Sequence, residues 1–181
     1  MILNLALADN DDVPSIVDLM NRAYRGQGAT SGWTDEVRYL AGDRITVPLL
    51  TADLARKPGA SLLKWQHSSA ARIQGCVWLE PMGAGVWYLG SFTVDPDDQG
   101  LGIGRVMLAA AEDWAREQGA ERLRITVISL REELIAWYRR RGYIPTGETL
   151  PFPYDNNAFG VPLRDDLTFT MLEKNVKGPP A

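Results

Sequence analysis

The chain has 181 residues, of which 45% are hydrophobic, enough for a core of ordinary domain size, and its formal net charge is -4. That acidic balance excludes nucleic acid as a main partner, since phosphate backbones are held by clustered Lys and Arg, and it favours a cationic or neutral substrate. With one cysteine, Cys76, and one histidine, His67, there is no internal disulfide framework and no Cys/His cluster, so no metal is expected.

The apolar opening, Met1 to Asp9, lacks the basic segment and cleavage site of a signal peptide, and residues 2–7 read as a strand. No apolar run approaches the roughly 18 residues that cross a bilayer, so a cytoplasmic protein without a membrane partner is expected. Asp11 or Asp12 caps a helix with Pro14 in its first turn, and Val13, Ile16, Val17, Met20, Ala23 and Tyr24 fall on one face before Gly26. Residues 26–59 are broken by glycine and proline, with short helices expected at 35–40 and 49–56.

Strands at 61–66, 72–80 and 86–94 form an antiparallel meander. A helix over 102–118 places Ile103, Val106, Met107, Ala110, Ala111 and Trp114 on one face and ends at Gly119. A strand at 122–128, a helix at 131–141 and strands at 143–149 and 167–172 complete the order β-α-α-β-β-β-α-β-α-β-β. The expected architecture is α/β, helices layered on a mixed sheet, with one domain over 1–174 and a frayed tail over 175–181.

The most informative segment is Val94-Asp95-Pro96-Asp97-Asp98-Gln99-Gly100-Leu101-Gly102-Ile103-Gly104-Arg105, where a strand runs through three alternating glycines into an amphipathic helix. Backbone without Cβ admits a close ligand, and the first helical N–H groups carry the positive end of the helix dipole, so the segment suits a phosphorylated ligand. A P-loop would need Lys and then Ser or Thr, where Arg105 and Val106 stand. A dinucleotide fingerprint would need glycine at position 105.

The string Gln99-x-x-Gly102-x-Gly104, together with the element order, resembles the GNAT N-acetyltransferase superfamily across nearly the whole chain. The resemblance implies acetyl-CoA as co-substrate, with Gln99, Gly100, Leu101, Gly102, Ile103, Gly104 and Arg105 around the pyrophosphate. It also implies that Phe92, Thr93 and Val94 pair with the pantetheine arm and turn a backbone N–H toward the thioester oxygen. The segment from Arg131 to Tyr143 is similar to the superfamily pattern N-x-x-A-x-x-x-Y-x-x-x-G-F/Y, which makes Tyr138 the expected general acid. Arg131 replaces the asparagine and Leu134 the alanine; Arg131 remains a candidate for CoA contact.

Where many members carry a glutamate on the strand before this helix, the corresponding residue is Thr126. Glu80, at a strand end, is then the candidate general base. Asp35 and Glu36, in the insert over the acceptor site, are placed to attract an ammonium group or simply cap a helix. Cys76 reads as a small buried side chain and His67 as an exposed loop residue. Trp33 and Trp87 line an acceptor pocket or pack in the core. Phe152, Tyr154 and Phe159, in the Pro-rich connection before the last strand, either shape the acceptor site, form a dimer contact or cover the sheet edge.

The expected activity is transfer of an acetyl group from acetyl-CoA to a primary amine, on a small molecule or a peptide, without a covalent enzyme intermediate. The alternative is a non-catalytic acyl-CoA-binding or sensing domain, for which loss of the asparagine and the strand glutamate argues.

Overall fold

The computed structural model describes residues 4–26, 33, 35–68, 72–156 and 159–178. Asp9 opens the first helical segment by accepting from the Asp11 and Asp12 amides in a short 3-10 turn that leads into α1, Val13–Arg25. Gly26, at φ 58°, ends α1 in the left-handed conformation. Thr46 caps α2, Val47–Arg56, by accepting from the Leu49 amide.

The seven-stranded sheet contains β1 (Ala6–Leu7), β3 (Ser61–Trp65), β4 (Gly75–Gly83), β5 (Val86–Val94), β6 (Arg122–Ile128), β7 (Ile144–Pro151) and β9 (Thr168–Asn175). Their order is β1-β3-β4-β5-β6-β9-β7, and the β5–β6 pair is parallel while the other pairs are antiparallel. A separate ladder joins β2 (Leu40–Ala41) to β8 (Val161–Pro162). The remaining helices are α3, Ile103–Glu117, and α4, Glu132–Arg139.

Alternation along the strands builds two cores. Leu62, Cys76 and Trp78 face α1 and α2, packing on Val13, Ile16, Leu19 and Met20. Leu63, Val77 and Leu79 face the other way, toward Met107, Leu108 and Ala111 of α3 and Tyr138 of α4. Burying each such aliphatic side chain contributes about 1.5–3 kcal/mol, so both faces hold the sheet firmly.

Several expected boundaries move. Residues 35–40 form a turn, in which the Tyr39 amide donates to the Glu36 carbonyl, and not a helix; pairing with the distant β8 draws Leu40 into a strand. β4 begins at Gly75, because residues 72–74 still belong to the preceding connection, and it extends to Gly83. The tail is tied down as far as it is described: β9 reaches Asn175, and the Val176 and Lys177 amides donate to the Glu121 carbonyl. Among the described residues no helix is long and apolar enough to cross a membrane.

Two features of β5 shape the centre of the molecule. It pairs with β6 only from Val86 to Tyr88, and the two strands then separate while β6 stays paired with β9 along its whole length. It also carries a bulge: Trp78 faces Gly90 while Cys76 faces Thr93, so two steps on β4 match three on β5. Ser91 absorbs the extra residue at φ 46°, and its carbonyl accepts from Thr93 Oγ1 at 2.9 Å.

Candidate active site

The separation of β5 from β6 opens a cavity of about 380 Å³. Its walls come from both faces of the sheet. Tyr24, Leu40, Arg44 and Phe159 line it on the α1 side, while Gly104, Arg105, Leu134, Trp137, Tyr138 and Arg141 line it on the α3/α4 side. Between them run the free edges of β5, from Leu89 to Val94, and of β6, from Ile125 to Ile128. The cavity therefore passes through the sheet.

The glycine segment forms one rim. Gly100 and Gly102 take φ of 85° and 78°, and a Cβ at either would meet no atom within 4 Å, so the space in front of them is open. The first helical bonds of α3 are those from the Arg105 and Val106 amides to the Gly102 carbonyl. The amides before them have no intrahelical acceptor and stand at the positive end of the helix dipole, which is a cradle for an anion. Asp95, fully buried, braces the segment by accepting from the Asp97 amide and from Arg22 of α1.

At the open edge of β5 the Asp95 amide donates to the Gln74 carbonyl on the β4 side. Period-two alternation then turns the N–H of Val94 the opposite way, into the cavity. Gln99 locks this corner: its Nε2 donates to the Val94 carbonyl at 2.9 Å and its Oε1 accepts from the Trp33 amide.

Tyr138 lies in the cavity wall from α4, 6% exposed, with its ring edge-on to Trp137 and Tyr143. Among the described residues its hydroxyl has no hydrogen-bond partner. Burial, reinforced by the Tyr24 and Tyr88 hydroxyls and opposed by Arg131 and Arg141, pushes this phenol well above its usual range, so it stays neutral and able to donate. On the other side of the opening the Tyr88 hydroxyl and Thr126 Oγ1 lie 3.1 Å apart.

The structure gathers Phe92, Val94, Gln99, Gly100, Gly102, Gly104, Arg105, Arg131 and Tyr138 around this cavity. Thr93, Leu101 and Ile103 are not in its walls: Thr93 and Ile103 are buried in the layers beneath, and Leu101 is 75% exposed. Glu80 is also outside the walls. It lies on β4 beyond the open stretch of β5, where it pairs with Lys57 at 2.8 Å and accepts from Trp78 Nε1.

Arg131 bonds the Trp33 carbonyl at 2.7 Å and approaches Glu36 at 3.6 Å. Glu36 also pairs with buried Arg25 at 3.1 Å. Trp33 lines the cavity, whereas Trp87 packs edge-on to Trp114 in the core. Of the loop aromatics, Phe152 stacks on Phe169 beneath the loop, Tyr154 accepts from the Leu167 amide, and Phe159 reaches the cavity. Burial raises the Cys76 thiol to about 12, which leaves it without nucleophilic character. His67 is exposed on its loop.

Sequence reasoning missed Tyr24, Arg44, Trp137 and Arg141 as cavity residues. Trp137 and Arg141 flank Tyr138 at helical spacing, a signal present in the chain. Tyr24 and Arg44 reach the cavity only through the packing of α1 and of the connection after β2, which no local pattern announces.

The chain matches the model of the acetyltransferase (GNAT) family over residues 13–143. A streptothricin acetyltransferase of Streptomyces lavendulae is 44% identical over 50 residues, a stretch covering 28% of this chain and 26% of that relative. The chain thus spans about a quarter of the length of that curated relative. Among solved structures, yncA from Salmonella typhimurium, determined with its cofactor acetyl-CoA, superimposes with a TM-score of 0.65 at 19% identity, covering 99% of this chain and 96% of that one. A spermidine N-acetyltransferase chimera of SpeG from Vibrio cholerae and hSSAT gives 0.70 at 12% identity, covering 97% and 96%.

Proposed function

The chain belongs to the GNAT acetyltransferase family, and from that premise we propose that it moves the acetyl group of acetyl-CoA to a primary amine by direct attack on the thioester. The observation that carries this reading is the cavity through the sheet, with an anion cradle on one rim and, in its wall, a phenol that has no hydrogen-bond partner among the described residues.

Each requirement of the reaction then has a residue. The amides of 100–104 hold the pyrophosphate, with Arg105 beside them. The open edge of β5 takes the pantetheine arm as a further strand would be taken, and the Val94 N–H serves the oxygen of the thioester carbonyl as charge builds there. The amine nitrogen forms a C–N bond to the carbonyl carbon, the C–S bond breaks, and the leaving sulfur receives a proton from Tyr138. Solvent restores the Tyr138 proton.

Glu80, outside the cavity walls and paired with Lys57, is not assigned the role of base in this reading. The one carboxylate in the cavity walls among the described residues is Glu36, which is occupied by Arg25 and Arg131. The amine accordingly enters in its neutral form and gives its surplus proton to water after attack. A rate that depends on the fraction of neutral amine, with no separate enzymatic base in the pH profile, is the kinetic signature of this arrangement.

Calorimetric titration with acetyl-CoA, with CoA and ATP as controls, tests the reading. Saturable binding of acetyl-CoA, and release of CoA thiol when an amine is added, is the expected result. Binding of ATP with equal affinity, or no binding of acetyl-CoA, would overturn it. Binding without thiol release from any amine would leave an acyl-CoA-binding module in its place.

A further inference from the structure

The acceptor half of the cavity is more positive than an ammonium-seeking pocket should be. Two guanidinium groups, from Arg44 and Arg131, share its walls with a single carboxylate, Glu36, which also pairs with buried Arg25 outside the walls. Arg25 and Arg131 both contact that carboxylate, so its one negative charge is already shared between two cations. Arg44 has no acidic partner among the described residues. Its guanidinium lies over the rings of Tyr24 and Phe159, 5.3 and 5.2 Å from their centroids, in the wall of the cavity. The residues outside the described set include no Asp or Glu, so no undescribed acidic side chain neutralises it.

The two cationic regions of the cavity are separated by the sheet. Arg105 and Arg141 lie on the α3/α4 side with the glycine cradle, where the phosphates of CoA account for them. Arg44 lies across the sheet, on the α1 side. An unpaired guanidinium flanked by two aromatic rings is a weakly hydrated, planar donor, suited to an oxyanion such as a carboxylate. Leu40 and the rings of Tyr24 and Phe159 line the cavity with Arg44.

We propose that the acceptor is a small amine carrying its own carboxylate, of the amino-acid type, and that Arg44 binds that carboxylate while the amine faces the thioester. The proposal rests on the acetyltransferase reading above. It narrows the expectation of a cationic or neutral substrate, and it sets aside the reading of Asp35 and Glu36 as attracting an ammonium group. A polyamine brings only positive charge to a pocket that already has an excess of it, whereas an amino acid brings one charge of each sign.

The test compares acceptors that differ only in that charge. CoA thiol release is measured with methionine and phenylalanine, with their carboxamides and with spermidine, and acetyl-CoA binding is measured separately by calorimetry. The acids are expected to be turned over with kcat/KM at least about tenfold above their amides. Amine reactivity would produce the opposite order, because an amide carries the less basic amine and so more of it is neutral. Arg44→Gln should raise KM for the acids by about tenfold or more and abolish the preference over the amides, with acetyl-CoA affinity unchanged. Arg44→Lys, which keeps the charge and loses the fork, should fall between.

Equal or better turnover of the amides or of spermidine would overturn the acceptor assignment while leaving the acetyltransferase intact. So would acetyl-CoA binding with no turnover of either acid, or a preference that survives Arg44→Gln. Failure to bind acetyl-CoA would overturn both readings together.

Discussion

The Tyr24 hydroxyl donates to the Phe92 carbonyl across 3.0 Å, fastening α1 to the bulged end of β5. Desolvation raises this phenol to about 12, so it is a neutral donor around neutral pH. Tyr24→Phe leaves the Phe92 carbonyl without this donor and should cost about 1–2 kcal/mol in urea unfolding. The same variant removes no atom from the glycine cradle, so acetyl-CoA affinity should change far less than stability.

Arg22 and Asp95 form the second tie, at 2.9 Å, between α1 and the start of the glycine segment. Burial works to raise the Asp95 carboxyl, but hydrogen bonds from Arg22 and the Asp97 amide, with the charges of Arg22 and Arg72, outweigh it and hold the group below the usual range. A folded pKa below the unfolded one contributes stability that is complete above about pH 4 and is lost as pH falls through the depressed folded value. Arg22→Gln should therefore lower the unfolding free energy measured in urea near neutrality by about 1–3 kcal/mol, and flatten its fall with acid. A variant whose midpoint tracks wild type in parallel down to about pH 2 would show that the pair contributes nothing to acid sensitivity.

Gly102 and Gly104 separate backbone strain from occupied space. Gly102 has φ 78° with open space before it, so Gly102→Ala should cost about 1–2 kcal/mol of stability through its backbone alone. At Gly104, where φ is not positive, a Cβ would make ordinary contacts with Trp137 and Val94 at 3.6 and 3.8 Å, and Gly104→Ala should fold with near-normal stability. Gly104→Val extends further into the cradle. Its acetyl-CoA affinity should fall by about tenfold or more, read by calorimetry, while thermal unfolding stays close to wild type.

Tyr138→Phe keeps the ring contacts with Trp137 and Tyr143 and deletes only a hydroxyl that bonds no described residue. Stability and the KM for acetyl-CoA should hold, and kcat should fall by about 100-fold. Unchanged kcat would remove Tyr138 from the reaction.

Much of this was legible along the chain because its causes are local. The stripe from Val13 to Tyr24, the glycines after Val94 and the spacing from Tyr138 to Gly142 each report their own neighbourhood, and each sits where that pattern placed it. The pairing of Leu40 with Pro162 depends on residues far apart in sequence, and it overrode the helical look of 35–40.

The bulge at Ser91 was equally hidden. Leu89 faces α3 before it, and Phe92 and Val94 face α3 after it, so strict alternation fails within one strand. The ion pairs of Glu36 with Arg25 and Arg131 likewise join three separate segments, and no spacing rule links them.

The opening between β5 and β6 has a kinetic consequence. The cavity is lined from both faces of the sheet, so in the proposed reaction a donor seated from the α3 side and an acceptor entering from the α1 side would not obstruct each other. Neither must leave before the other arrives, and with Cys76 sealed in the core the walls offer no thiol to hold the acyl group between visits. Initial-velocity plots should therefore intersect, as in a ternary-complex mechanism, with either substrate able to arrive first.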